Sequence, residues 1–386
     1  MLKDLSAQAV AAGLLAAFVG FASSFAVILR GLGAVGASEA QAASGLMVLS
    51  IAMGAGGVVL ALRHREPIGV AWSTPGAALL ASTGAVAGGF PAAVGAFLVA
   101  GGLIVLAGLW RPLGRAVAAI PAPLANAMLA GVLAGFCAAP VRAVAALPAL
   151  ALPMVLVWAV VARLKRPFAV PAAVLAAAVA VLATQRFTPA PPLLLLPSAH
   201  LLWPVLSGPA VIGISLPLFL VTMASQNIPG IAVLNANGYH PAPAPLFRAT
   251  GLLSLLAAPF GGHAVNLSAI TAAMCAGSDA HPDPRRRYWA AVSAGLTYIV
   301  FGLLAGGVTE AAAAAPPLLI EAVAGLALLG AFGAALLAAL ADPAAREAAV
   351  ICFLVTFSGI AFFGIGAAAW GLLAGGVVLA LGRWRR

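Results

Sequence analysis

Apolar residues run through this chain in blocks long enough to cross a bilayer, broken by short polar and Gly/Pro punctuation. Taking about 20 apolar residues per span, the first half divides into segments near 8 to 29, 42 to 62, 68 to 83, 88 to 110, 113 to 138, 144 to 162 and 168 to 185. The second half divides near 208 to 234, 246 to 260, 263 to 278, 287 to 307, 316 to 340, 347 to 364 and 366 to 382. The pattern predicts an all-α membrane protein of fourteen segments, seven in each half. The Pro-rich stretch from Thr188 to Pro197 divides a first repeat, 1–187, from a second, 198–386. The apolar run ending at Leu29 is long for a signal peptide and more spans follow, so it reads as the first helix.

Two segments are too short to span. Segment 10, GGHAVNLSAITAAMCAG from Gly261 to Gly277, opens on paired glycines and a β-leaning piece at His263, Ala264 and Val265. Asn266 and Ser268, both good helix N-caps, then precede a small-residue helix. A helix that starts at membrane depth leaves its first N–H groups without partners, so it persists only where they face a cavity or a ligand. Its partial positive charge favours an anionic or polar substrate.

Overlaid at an offset of 193, Pro67 to Ala77 (PIGVAWSTPGA) lies on Phe260 to Ile270 (FGGHAVNLSAI), with Gly69 on Gly262 and Ser73 on Asn266. Pro75 suits the first turn of the half-helix in segment 3, where its missing N–H costs nothing. An odd number of spans per half inserts the second repeat upside down, so two half-helix N-termini approach the midplane from opposite sides. A weaker echo pairs VGFASS (Val19 to Ser24) with VTMASQ (Val221 to Gln226).

Composition excludes a soluble protein: 64% of residues are hydrophobic, 7% are charged, and mean hydropathy is +1.13. The net charge of +10 does not indicate nucleic acid, because the basic residues sit between apolar runs and segregate by side. With both termini cytoplasmic, that face collects sixteen of the 19, from Lys3 and Arg63 to Arg385 and Arg386, leaving Arg30, Arg142 and Arg186 outside. The three cysteines have no metal-type spacing and read as packing residues. No metal or other cofactor is indicated, and no Walker A loop, GxSxG or HExxH motif suggests an enzyme.

Candidate chemistry concentrates in segments 3, 8 and 10. Ser225, Gln226 and Asn227 form a polar triplet beside Pro229 and Gly230, which weaken or kink a helix; such residues line a site or hydrogen-bond between helices. Trp72 reads as an aromatic wall or as packing, and His263 as a proton relay or a satisfied structural group. Most acidic residues fall in loops or near the faces, and Glu321 alone falls inside a span, in segment 12. A site of amides, hydroxyls and helix N-termini without a carboxylate favours an anion and offers no carboxylate cage for sodium.

The stretches ASQNIPGIAVLNANGY (Ala224 to Tyr239) and GGHAVNLSAITAAMCAG, with DAHPDPRRRYWAA after the second, resemble the BenE-type benzoate membrane transport family of bacterial inner-membrane proteins. The resemblance covers the whole chain. It implies benzoate/proton symport and a fold like that of the uracil/proton symporter, with two inverted seven-helix repeats and short strands in segments 3 and 10. Segments 1 to 4 and 8 to 11 then form a core domain, 1–110 plus 205–307. Segments 5 to 7 and 12 to 14 form a gate domain, 111–187 plus 311–386. Gln226 falls where uracil transporters carry a substrate-binding glutamate, and no glutamate stands between Ser268 and Thr271, which argues against a nucleobase.

The substrate expected is a small aromatic monocarboxylate held near Ser73, Thr74, Asn266 and Ser268, with Gln226 and Asn227 completing its hydrogen bonds and Phe25 and Trp72 flanking its ring. The proton is assigned to His263, to Glu321 or to the substrate carboxyl. The partners are substrate, proton and lipid bilayer, a homodimer being left open. An inorganic-anion exchanger or channel of the same fold is the alternative. An embedded enzyme or a sensor is disfavoured, since neither a clustered acid, base or nucleophile nor an output domain is present.

Overall fold

The computed structural model describes residues 5–110, 112, 121–184, 197–313, 315–360, 362–363 and 365–384. The expected start of segment 5 at 113–120 and the divider at 188–196 lie outside these residues, as do Lys3, Arg111, Arg115, Arg186, Arg385 and Arg386 of the charge count.

Helices occupy all fourteen segments. The first half runs Ala7–Ala22 with Phe25–Ala34, Glu39–His64, Thr74–Thr83, Gly89–Leu109, Ala122–Ala146, Pro148–Leu164 and Ala169–Thr184. The second runs Gly208–Ala236, Pro243–Ala257, Ile270–Ala276, Tyr288–Leu303 with Ala305–Ala313, Pro317–Leu340, Arg346–Phe357 and Ala367–Trp384. Among the described residues six helices are long and apolar enough to cross a membrane, or seven if the segment 11 pair, bent by 58°, counts as one span. The others are shorter, and two of them are the half-helices of segments 3 and 10.

Three local expectations change. Segment 1 is broken at Ser23 and Ser24, whose hydroxyls both donate to the Gly20 carbonyl and so compete with the backbone ladder. Segment 8 is not kinked apart at Pro229. The helix stays continuous and absorbs both of its inner prolines in π-turns, Val211–Ser215 just before Pro217 and Met223–Asn227 just before Pro229. A proline removes one N–H and crowds the carbonyl four residues back, and widening the preceding turn relieves both. The strand of segment 10 is Val265–Leu267 rather than the piece at 263–265, so Asn266 is a strand residue and not a helix cap.

The two strands, β1 (Val70–Trp72) and β2 (Val265–Leu267), pair antiparallel with Ala71 opposite Asn266. The same two-fold relation repeats on either side. Ser73 N–H donates to Ala264 O and Ser268 N–H to Gly69 O; Gly76 N–H donates to Ser73 Oγ and Thr271 N–H to Ser268 Oγ, both at 3.1 Å. Every pair is related by an offset of 195, which corrects the sequence overlay of 193. The partner of Ser73 is therefore Ser268. The error arose from aligning the glycines at 69 and 262, whereas the symmetry follows strand register and cap hydroxyls.

Packing sorts the helices into two groups. The most extensive contacts join segments 2 to 11, 4 to 9 and 1 to 11, and separately 5 to 12, 13 to 14, 6 to 7 and 5 to 13. Where segments 2 and 11 cross, Gly54 and Gly295 face each other so closely that a Cβ on Gly295 would lie 2.6 Å from the Gly54 carbonyl. Small residues are the means of close packing where lipid supplies no hydrophobic drive between helices. Between the groups, segments 1 and 3 meet segments 5, 7, 12 and 14 over smaller areas.

Candidate functional site

The paired strands place the two half-helix starts back to back, and a cavity of about 100 Å³ opens beside them. Segment 1 contributes Gly20, Ser23 and Ser24; segment 3 Ala71, Trp72, Thr74 and Pro75; segment 8 Gln226; segment 10 Ser268, Ile270 and Thr271. Tyr298 of segment 11 and Ala327, Leu328 and Ala331 of segment 12 close the far wall. Among the described residues no charged side chain lines it.

Of the sequence-based candidates, Trp72, Thr74, Gln226 and Ser268 line this cavity. The Trp72 indole donates to Ser24 Oγ at 2.8 Å, which fixes the ring as a wall and ties β1 to the break in segment 1. Among the described residues the Gln226 amide and the Thr74 hydroxyl have no hydrogen-bond partner. Ser268 Oγ accepts from Thr271, leaving its own proton uncommitted.

Ser73, Asn227 and Asn266 sit behind this surface, fully buried. Ser73 Oγ caps the segment 3 half-helix and accepts from Thr222 Oγ1 at 3.0 Å. The Asn227 Oδ1 accepts the N–H of Leu267 at 2.8 Å, so a side chain of segment 8 completes the outer edge of β2. The Asn266 amide, oriented so that its nitrogen donates, bonds Ala71 O and Leu267 O within the strand pair. Asn227→Ala would leave the Leu267 N–H buried and unpaired, and is expected to cost about 1–3 kcal/mol. Thermal unfolding in detergent measures it. A variant as stable as the parent contradicts the structural assignment.

Phe25 does not line this cavity. Its ring stacks on Phe21 at 5.9 Å, and it is Phe21 that reaches Trp72, at 5.4 Å. His263 is fully buried behind the strand pair, with Nε2 2.8 Å from the Ser73 carbonyl and Nδ1 lacking a partner among the described residues. Nε2 therefore carries the proton and donates, which pins segment 10 to the cap of segment 3. Glu321 lies elsewhere, bridging the two helix groups: its carboxylate is 2.8 Å from the Arg30 guanidinium, at a second cavity that Arg142 also lines.

Sequence reasoning missed Phe21, Ser24, Thr271 and Tyr298. The signal for Tyr298 was its isolation in an apolar span. Gly20 permits its approach, because a Cβ there would collide with the tyrosine hydroxyl. The signal for Ser24 was the VGFASS echo itself, which marks a break in segment 1 facing the π-turn of segment 8.

A family model described as benzoate membrane transport protein matches residues 3–381. The chain belongs to the benzoate membrane transport family. Within that frame it is 42% identical over 376 residues to the inner membrane protein YdcO of Escherichia coli (strain K12), covering 95% of this chain and 93% of that protein. It is 30% identical over 378 residues to the benzoate membrane transport protein of Acinetobacter baylyi (strain ATCC 33305 / BD413 / ADP1), covering 97% and 94%. Among solved structures, the transmembrane domain of the cyanobacterial bicarbonate transporter BicA matches with a TM-score of 0.60 at 15% identity, over 95% of this chain and 96% of that one. The likeness shows the fold. This member of the benzoate membrane transport family is a multi-pass membrane transporter with an inverted-repeat architecture, not an enzyme.

Proposed function

We propose that the protein takes up benzoate or a related aromatic monocarboxylate together with a proton, by alternating access across the bacterial inner membrane, with both termini cytoplasmic. One observation carries the substrate reading: a cavity with no charged lining side chain among the described residues, where the free amide of Gln226, the free hydroxyl of Thr74 and the uncommitted hydroxyl proton of Ser268 meet beside a fixed indole, Trp72. Such a surface donates hydrogen bonds to a carboxylate while flanking an aromatic ring. The segment 10 half-helix has only seven residues, so these side chains, rather than its dipole, supply most of the recognition. Ser73, Asn227 and Asn266 hold the strand pair that aims them, and Phe25 backs Phe21 in the aromatic wall.

The core, 1–110 plus 205–307, would rock against the gate, 111–187 plus 311–386, with the cavity at their boundary. For the proton, Glu321 is the better candidate than His263. It joins the two groups through Arg30, so protonating it releases a contact that spans the moving boundary. His263 is sealed behind the strands and does not line the cavity.

Equilibrium binding to the purified protein tests the substrate reading. Benzoate is expected to bind saturably and to resist displacement by excess bicarbonate, chloride or sulfate. Saturable binding of those inorganic anions with none of benzoate supports the exchanger or channel alternative instead.

A further inference from the structure

A larger cavity, of about 400 Å³, lies between the two helix groups. Segment 1 contributes Phe21 and Phe25, segment 7 Ala178 and Val181, segment 11 Ala312, and segment 12 Val323, among others. Among the described residues, its lining side chains are all Ala, Val, Leu, Ile or Phe. Water finds no partners there, and a bare carboxylate would be stripped of hydration without compensation. An enclosed apolar cavity of about 150 Å³ lined by Leu, Ile and Phe stays dry and takes up benzene; this chamber is apolar in the same way but half-open, with Ala178 and Leu182 exposed.

The cavity is continuous in construction with the polar one. Ile320 and Val323 line the first, and Ala327 and Ala331 the second, at spacings of three and four residues that form one stripe along segment 12. Phe21 lines the apolar cavity while its ring packs against Trp72 of the polar one, and it also meets Phe301 at 4.9 Å. An aromatic partition thus separates two chambers that share the walls of segments 1 and 12.

We propose that the apolar cavity is a second station on the permeation path, binding the ring of small uncharged aromatic molecules, the protonated carboxylic acid included, with Phe21 as the partition to the polar cavity. The inference rests on the aromatic-substrate reading above. Its occupant is an aromatic molecule and not a lipid acyl chain, because the chamber adjoins the substrate cavity through a wall of aromatic rings. Entry to that cavity requires the Phe21 ring to turn aside.

The probe is 4-fluorotoluene, which has the ring without a carboxyl, observed by fluorine NMR on the full chain in phospholipid nanodiscs. Wild type is expected to give a saturable bound resonance that Gln226→Ala retains and Ala178→Trp loses. Ala178 faces the cavity and is exposed, so the indole fills space rather than displacing core; Ala312→Phe is the second filling variant should the first fail to fold. Both filling variants are expected to lower benzoate uptake at least tenfold. The proposal is overturned if the filling variants bind the probe and transport as wild type does. It is also overturned if the bound resonance seen in detergent disappears once phospholipid is supplied, which identifies an acyl chain as the occupant. Absence of benzoate uptake by wild type with the probe results intact rejects the substrate reading and leaves the aromatic cavity standing.

Discussion

Gln226→Ala is expected to weaken benzoate binding by roughly ten- to a hundredfold, the loss of one hydrogen bond to a charged group. The residue stands on the π-turn of segment 8, where the helix is widened and packs against β2. Its amide lines the cavity with no partner among the described residues, so removing it leaves no other protein group unpaired and little stability should be lost. This separates it from its neighbour Asn227, whose loss falls on folding. Gln226→Glu keeps the shape and is expected to abolish binding of the carboxylate near neutral pH, because ionising the new side chain places two anions in one small cavity. Titration calorimetry on both variants decides the matter, and unchanged affinity in Gln226→Ala moves the carboxylate away from this position.

The second large effect is expected from Glu321→Gln. In the parent, the Glu321 carboxylate faces Arg30 at 2.8 Å, with Arg142 lining the same cavity. The amide keeps the volume and removes both the charge and the carboxyl that would carry a proton. Coupling one proton to one monoanion permits accumulation of about tenfold per unit of pH gradient. The variant should still exchange benzoate for benzoate across the membrane but should not concentrate it. Retained accumulation in Glu321→Gln would move the proton to the substrate carboxyl or to His263, the other two carriers. Arg30→Ala gives a further separation: it leaves the Glu321 carboxyl in place but frees it from the opposite helix group, so exchange should become less dependent on pH.

Much of the architecture was legible from apolar block lengths and from the two truncated segments, because a bilayer permits few alternatives to a span or a cavity-lining half-helix. Details that depend on hydrogen-bond register were not legible. Asn266 looks like a cap in sequence, yet its backbone pairs with Ala71 and the capping hydroxyl comes from Ser268. Phe25 looked like a ring wall, but the break at Ser23 and Ser24 hands that contact to Phe21. The prolines of segment 8 announced a disturbance without revealing that a π-turn would absorb it. The ion pair between Arg30 and Glu321 joins residues 291 positions apart, and no local pattern predicts it.

The central claim is proton-driven transport of an aromatic carboxylate, and uptake of labelled benzoate into proteoliposomes with an imposed pH gradient tests it most directly. The account predicts saturable uptake that overshoots equilibrium when the proton gradient points in the direction of transport and collapses with a protonophore. Uptake no faster than in protein-free liposomes, or uptake indifferent to the gradient, would contradict it.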